Sequence, residues 1–298
     1  MEGLFLSVLN MSFTASYVIG IIALARLFLK NAPKSISYML WAVAGFRLVV
    51  PFSFESVFSL IPFNPSPIPA DIAMQTIPRV DSGIIAVDHA VSRLLPAAIP
   101  EASANPMQLW QTAGTYLWLA GVAVMLIYGV VSIILLNRRL RGSTHSEENI
   151  YETENLKTPF VLGFIRPKIY IPVGLCAEER NYIILHEQTH IKRFDHAVKL
   201  FAFLVLCVHW FNPLVWLAFL LMSVDMEMSC DERVLKELGS DIKKAYSTSL
   251  LSMATDHRLI NGGPLAFGEG NIKGRINNIL NFKKPAVRVI AVSVALAV

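Results

Sequence analysis

Long apolar runs separated by short basic or polar stretches set the pattern of this chain. Leu4 to Leu29 is apolar almost throughout, Ile36 to Phe52 is a shorter run that tolerates Arg47, and Leu109 to Leu136 is closed by Asn137-Arg138-Arg139-Leu140-Arg141. A helix needs about 20 apolar residues to span a bilayer. The pattern therefore predicts two membrane helices within residues 1–52, a loop over 53–108, a third membrane helix over 109–136 and a polar domain over 137–284. The first run begins with Glu2 rather than a basic segment, as a retained span does and a cleaved signal peptide does not. A last run, Ala286 to Val298, follows Lys283-Lys284-Pro285 and reads as the start of a fourth membrane helix over 285–298. Inside the polar domain lies one more mostly apolar stretch, 198–222.

Composition agrees with a membrane protein. Of 298 residues, 54% are hydrophobic and 16% charged, with mean hydropathy +0.51. Soluble domains carry about a quarter charged residues. The net charge of +4 is spread over loops, so it fits the flanks of membrane helices and implies no direct nucleic-acid partner. Arg26, Lys30 and Lys34 follow the first run and the segment after the third is basic, whereas 53–108 holds only Arg79 and Arg93. The positive-inside rule then puts the N-terminus and the 53–108 loop outside and the polar domain in the cytoplasm. Cys176, Cys207 and Cys230 are far apart with no CxxC pair, which points to neither a disulfide framework nor a thiolate zinc site.

Chemistry concentrates in Leu185-His186-Glu187-Gln188-Thr189-His190-Ile191-Lys192-Arg193-Phe194-Asp195-His196. On a helix, residues four apart share a face, so His186 and His190 can aim nitrogens at one ion. Zinc lowers the pKa of a bound water to about 7, and Glu187 is placed to take its proton. That is the content of HExxH. Two residues compete for third ligand. His196 has the metzincin spacing, but that pattern needs a glycine where this chain has Arg193, which favours a continued helix carrying His196 off the metal face. The stronger candidate is Glu227, with Asp231 four residues on; one can ligate while the other accepts a hydrogen bond from a ligand imidazole.

If 198–222 crossed the bilayer once, Glu227 would emerge on the side opposite His186. The sequence offers a turn instead at His209-Trp210-Phe211-Asn212-Pro213, with Asn212 suited to an N-cap and Pro213 to the first helical position. Two half-length helices would then dip into the membrane and return, with the turn buried in protein.

HExxH with Arg193 and Asp195, the apolar hairpin, Glu227-Met228-Ser229-Cys230-Asp231-Glu232, and the upstream PFVLGFIRPKIYIP of residues 159–172 together resemble the membrane-embedded gluzincin metallopeptidases of the BlaR/MecR type. The likeness runs along the whole chain. It implies a mostly α polytopic membrane protein of the bacterial cytoplasmic membrane. Its cytoplasmic zincin-like metalloprotease domain would contain a small β-sheet and a membrane-dipping helical hairpin. It also implies one Zn2+ held by His186, His190 and Glu227, Glu187 as general base, and Asp231 and Asp195 supporting the ligands. Members signal the presence of β-lactams by cleaving themselves, and possible substrates include a cytoplasmic transcriptional repressor. The self-cleavage position implied here is Asn281–Phe282, in a glycine-rich loop taken as Gly268 to Lys284. Homo-oligomers are compatible with this picture. No Ser-x-x-Lys, Ser-x-Asn and Lys-Thr-Gly set marks a penicillin-binding sensor domain, so β-lactam sensing is an expectation from kinship alone.

The 159–172 stretch also reads as two β-rich runs around Arg166-Pro167, either an edge that aligns an extended substrate or a structural hairpin. Competing functions are a non-proteolytic receptor or scaffold with a structural metal site, and a housekeeping protease for membrane-protein quality control. Tyr246 and His257 are candidates for the transition-state donor.

Overall fold

The structure is a computed structural model that describes residues 2–51, 67–75, 77–96, 105–154, 156, 158–239, 241–255 and 271–282. The segment 285–298 and His257 lie outside the described residues. Helices dominate: α1 (Glu2–Phe28), α2 (Lys34–Val49), α3 (Ile85–Leu94) and α4 (Pro106–Arg139) precede a small sheet. After the sheet come α5 (Ala177–Lys192), α6 (Asp195–Val208), α7 (Pro213–Leu238), α8 (Lys243–Thr255) and α9 (Ile272–Asn281). Among the described residues α1, α4 and α7 are long and apolar enough to cross a membrane. At 16 residues α2 is shorter than such a span.

The chain falls into two compact units, Met1–Ile21 with Val43–Met125 and Val205–Trp216, and Ile22–Ala42 with Leu126–Leu204 and Leu217–Val298. The first unit buries the turn between α6 and α7. Asn212 Nδ2 donates to Ser12 Oγ at 2.8 Å and Ser16 Oγ at 2.9 Å, and His209 Nε2 meets the Leu48 carbonyl at 3.0 Å. Trp210 Nε1 donates to the Trp118 carbonyl, and its indole packs so closely on Gly121 that no Cβ fits there. Asn212 Oδ1 accepts from the Leu214 N–H at 2.9 Å and Pro213 opens α7, the cap chemistry read from the sequence. The return helix differs from that reading. It is one continuous helix of 26 residues rather than a half-length arm, because no breaker interrupts it before Gly239.

In the second unit the strands β1 (Thr144–Glu147), β2 (Ile150–Thr153), β3 (Phe160–Leu162) and β4 (Lys168–Pro172) form one sheet in the order β1-β2-β4-β3. β3 and β4 pair antiparallel around Arg166-Pro167, and β2 and β4 pair parallel. Ile150, Val161, Ile169, Ile171 and Ile183 form a buried cluster, which ties the sheet to α5. Burying each such side chain contributes roughly 1.5–3 kcal/mol. A second cluster of Val234, Leu235, Tyr246 and Ile279 joins α7, α8 and α9.

Candidate metal centre

Helix α5 starts with a capping box in which the Cys176 N–H donates to Glu179 Oε2, and it runs unbroken to Lys192. It does not continue into His196, as the sequence led us to expect. Arg193 caps it, Phe194 takes a left-handed conformation with φ +58°, and α6 begins at Asp195. The N–H groups of Ala197 and Val198 both donate to the Phe194 carbonyl, so the break is closed by backbone hydrogen bonds. The turn brings Asp195, not His196, back to the centre. His196 ends up beside the Phe194 ring, with centroids 6.1 Å apart.

His186 and His190 face each other, Nε2 to Nε2, at 3.1 Å. Glu227 Oε2 lies 3.4 Å from His186 Nε2 and 3.8 Å from His190 Nε2. Each imidazole is held from behind through Nδ1. His190 Nδ1 donates to Asp195 Oδ2 at 2.8 Å, since an ionised carboxylate can only accept. His186 Nδ1 meets Tyr246 Oη at 2.9 Å, and Tyr246 donates in turn to Asp231 Oδ1 at 2.7 Å. Both Nε2 atoms therefore face the same space, where Arg275 Nη2 also comes within 3.4 Å of His186 Nε2. Two such nitrogens on a tetrahedral zinc stand about 3.3 Å apart for bonds near 2.0–2.1 Å. Glu227 Oε2 is faced by the Arg275 guanidinium at 3.1 Å, whereas Glu187 Oε2 is buried without a hydrogen-bond partner among the described residues. Acceptors left this way are costly unless a cation or water completes them, so the donor set fits a metal ion.

Two residues in the centre were missed. Cys230 Sγ shares with the His186 and His190 nitrogens a group spanning at most 4.8 Å, and it donates to the His186 carbonyl at 3.4 Å. Cys230 has no CxxC partner, but it stands three residues after Glu227 on the same helix face. Arg275 is buried, donates to Asp231 through Nε and Nη2, both at 2.8 Å, and sets Nη1 3.1 Å from Glu227 Oε2. The sequence predicts a glycine-rich loop over Gly268 to Lys284, whereas Ile272–Asn281 is helix α9. Ile272, Ile276 and Ile279 at helical spacing are the signal that would have found it. Asn281 ends α9 and Phe282 caps it, its carbonyl accepting from Lys243 Nζ. The residue of this helix that reaches the centre is Arg275.

The cations and anions of the centre tune one another. Burial opposes charge on His186, but the adjacent Cys230 and Glu227 outweigh it and push its pKa up to about 10. His190 is raised the same way, with Asp195 adding to Cys230 and Glu227. Burial raises the Glu187 carboxyl above its ordinary value, toward what a base working near neutral pH requires. Tyr246 is raised well above the usual phenol range by burial and by Asp231, so it stays a neutral donor. The Tyr246 hydroxyl is engaged on both sides, by His186 Nδ1 and by Asp231 Oδ1.

Residues 6–279 match the BlaR1 peptidase M56 family. The chain belongs to that family. Over 193 residues this M56 protein is 31% identical to the regulatory protein BlaR1 of Bacillus licheniformis, an alignment covering 56% of the chain and 32% of BlaR1. Over 103 residues it is 31% identical to the methicillin resistance MecR1 proteins of Staphylococcus aureus and Staphylococcus epidermidis, covering 33% of the chain and 18% of either relative. The chain thus spans about a third or less of the length of these relatives.

Proposed function

We propose that this M56 protein is a membrane-embedded zinc endopeptidase whose site lies at the cytoplasmic face. It would act in transmembrane signalling by cutting itself, a cytoplasmic repressor or both, in a response to β-lactams. The carrying observation is the meeting of His186, His190 and Glu227 beside a buried, unpartnered Glu187 carboxylate oxygen. His186, His190 and Glu227 would hold one zinc ion. When bound, zinc supplies Lewis acidity to a peptide carbonyl and a nucleophilic water near neutral pH. Glu187 takes the proton of the attacking water and passes it to the leaving amine. Asp195 and the Tyr246–Asp231 pair hold the two imidazoles in the tautomer that leaves Nε2 free. Strand β3, at the edge of the sheet, would align an extended substrate by adding it as a further strand.

The bilayer partner and the N-terminus-outside orientation rest on the apolar helices and on the basic flanks. The β-lactam link rests on the names of the relatives. The test is expression of the parent and Glu187→Gln in membranes, with mapping of fragments ending near residue 281 and of repressor cleavage. Identical fragmentation in both, with the repressor intact, would remove the protease reading.

A second reading, a receptor with a structural metal, draws on Cys230. Four protein ligands close a zinc site, as structural sites are closed. Against it stands Glu187, since a closed site has no use for a buried base.

A further inference from the structure

Helix α2 sends a hydroxyl to the carboxylate behind His190. Tyr38 Oη donates to Asp195 Oδ1 at 3.1 Å, while Oδ2 of the same group accepts from His190 Nδ1 at 2.8 Å. Asp195 has no exposed surface. Arg193 closes the arrangement, with Nε 3.3 Å from Asp195 Oδ2 and its guanidinium 5.0 Å above the Tyr38 ring. One turn further along α2, Trp41 Nε1 donates to Asp225 Oδ2 at 2.8 Å. Arg26 near the end of α1 grips both oxygens of Asp225 at 2.7 Å. Asp225 precedes Glu227 by two residues on α7. The two arms of α2 thus end on the residue that orients one expected ligand and on the helix turn that carries another.

Helix packing alone does not call for this chemistry. Burying a carboxylate and a phenol costs desolvation that well-packed apolar residues avoid. What directed hydrogen bonds add is a fixed orientation. We propose that Tyr38 is a positioning residue for His190, acting through Asp195, so that α2 sets the geometry of the metal centre. A displacement of α1 and α2 then changes how the ligands are held, without any contact between those helices and the ion. The inference rests on the reading of His190 as a metal ligand.

The test uses the full chain in lipid nanodiscs. Zinc affinity is measured by competition with a chromophoric chelator, and the visible absorption of the Co(II)-loaded protein is recorded. Tyr38→Phe keeps the ring over Arg193 and removes only the hydroxyl. It is expected to weaken zinc binding about tenfold, the low end for partners behind metal ligands, and to shift the Co(II) bands. Arg193→Gln loosens the same carboxylate from the other side and is expected to move both readouts in the same direction. Met39→Leu, at a position 71% exposed on the same helix, is expected to match the parent. Parent-like affinity and spectra in both Tyr38→Phe and Arg193→Gln would overturn the inference while leaving the metal site standing. If His190→Ala binds zinc as tightly as the parent, the metal reading itself falls, and the inference with it.

Discussion

Asp195 lies five residues after His190 and on a different helix, yet its Oδ2 accepts from His190 Nδ1 at 2.8 Å. On an unbroken α5 a residue at that spacing would point away from the histidine, 140° round the axis by about 100° per residue. The left-handed Phe194 folds it back. A carboxylate behind a ligand histidine fixes the ring and raises its basicity. Asp195→Asn keeps the shape and removes the charge, so zinc affinity is expected to fall about 10- to 100-fold with the fold retained. Chelator competition alongside circular dichroism checks this; an unchanged affinity would show that the carboxylate does not support the ligand.

The same turn makes a backbone prediction. A left-handed conformation costs a residue with a Cβ roughly 1–2 kcal/mol and is worst for β-branched side chains. Phe194 is 67% exposed, so its ring contributes little packing. Phe194→Gly is expected within about 1 kcal/mol of the parent, the relief of strain offsetting the extra freedom of the unfolded chain. Phe194→Val is expected about 1–2 kcal/mol less stable. Thermal unfolding of the two variants, side by side, reads the difference.

His186 and His190 stand four apart on one helix face with Glu187 beside them, which helix period makes readable, while Glu227 and Asp231 were readable from their place after the apolar hairpin and from the family resemblance. The turn at Asn212-Pro213 was equally readable, because capping is local chemistry. The break at Phe194 was not, since no glycine or proline announces it and the site's own hydrogen bonds hold it in place. Arg275 was hidden for a different reason. It sits 44 residues beyond Asp231, and nothing local says that a short helix after a glycine-rich stretch will dock there.

Arg275 compensates two buried carboxylates, Asp231 and Glu227. Removing one partner of such a network strands the others, at a cost of about 3–5 kcal/mol. A bound cation would relieve part of that cost at Glu227. Arg275→Met is therefore expected to destabilise the metal-free protein more than the zinc-loaded one. Melting curves with and without zinc test this; equal losses in both states would separate Arg275 from the metal centre.

Glu227 and Cys230 make distinguishable claims on the ion. The carboxylate oxygen lies 3.4 and 3.8 Å from the two Nε2 atoms and is paired with Arg275, whereas the thiol lies within 4.8 Å of the imidazole nitrogens and donates to the His186 carbonyl. Glu227→Gln is expected to lose most of the bound zinc, and Cys230→Ala to keep one ion per chain. Elemental analysis after dialysis decides between them, and a thiolate charge-transfer band in the Co(II) protein would favour Cys230 instead.

The last prediction concerns protons. In the metal-free centre His186 is pushed up to about 10 from an ordinary 6.5, because the neighbouring Cys230 and Glu227 outweigh the burial that opposes its charge. A pKa raised by folding gives stability that is fully present below the unfolded value and is lost as pH rises through the folded one. The metal-free protein is therefore expected to melt at progressively lower temperature between about pH 6.5 and 10. Zinc binding runs the other way, since the ion must displace the proton from the same nitrogen. Affinity should rise by about tenfold per pH unit for each proton displaced in that window. Calorimetric zinc titrations in buffers of different ionisation enthalpy count the protons released, and His186→Ala should lower the count. Zinc affinity independent of pH across this range would mean that the two imidazoles are not where the ion binds.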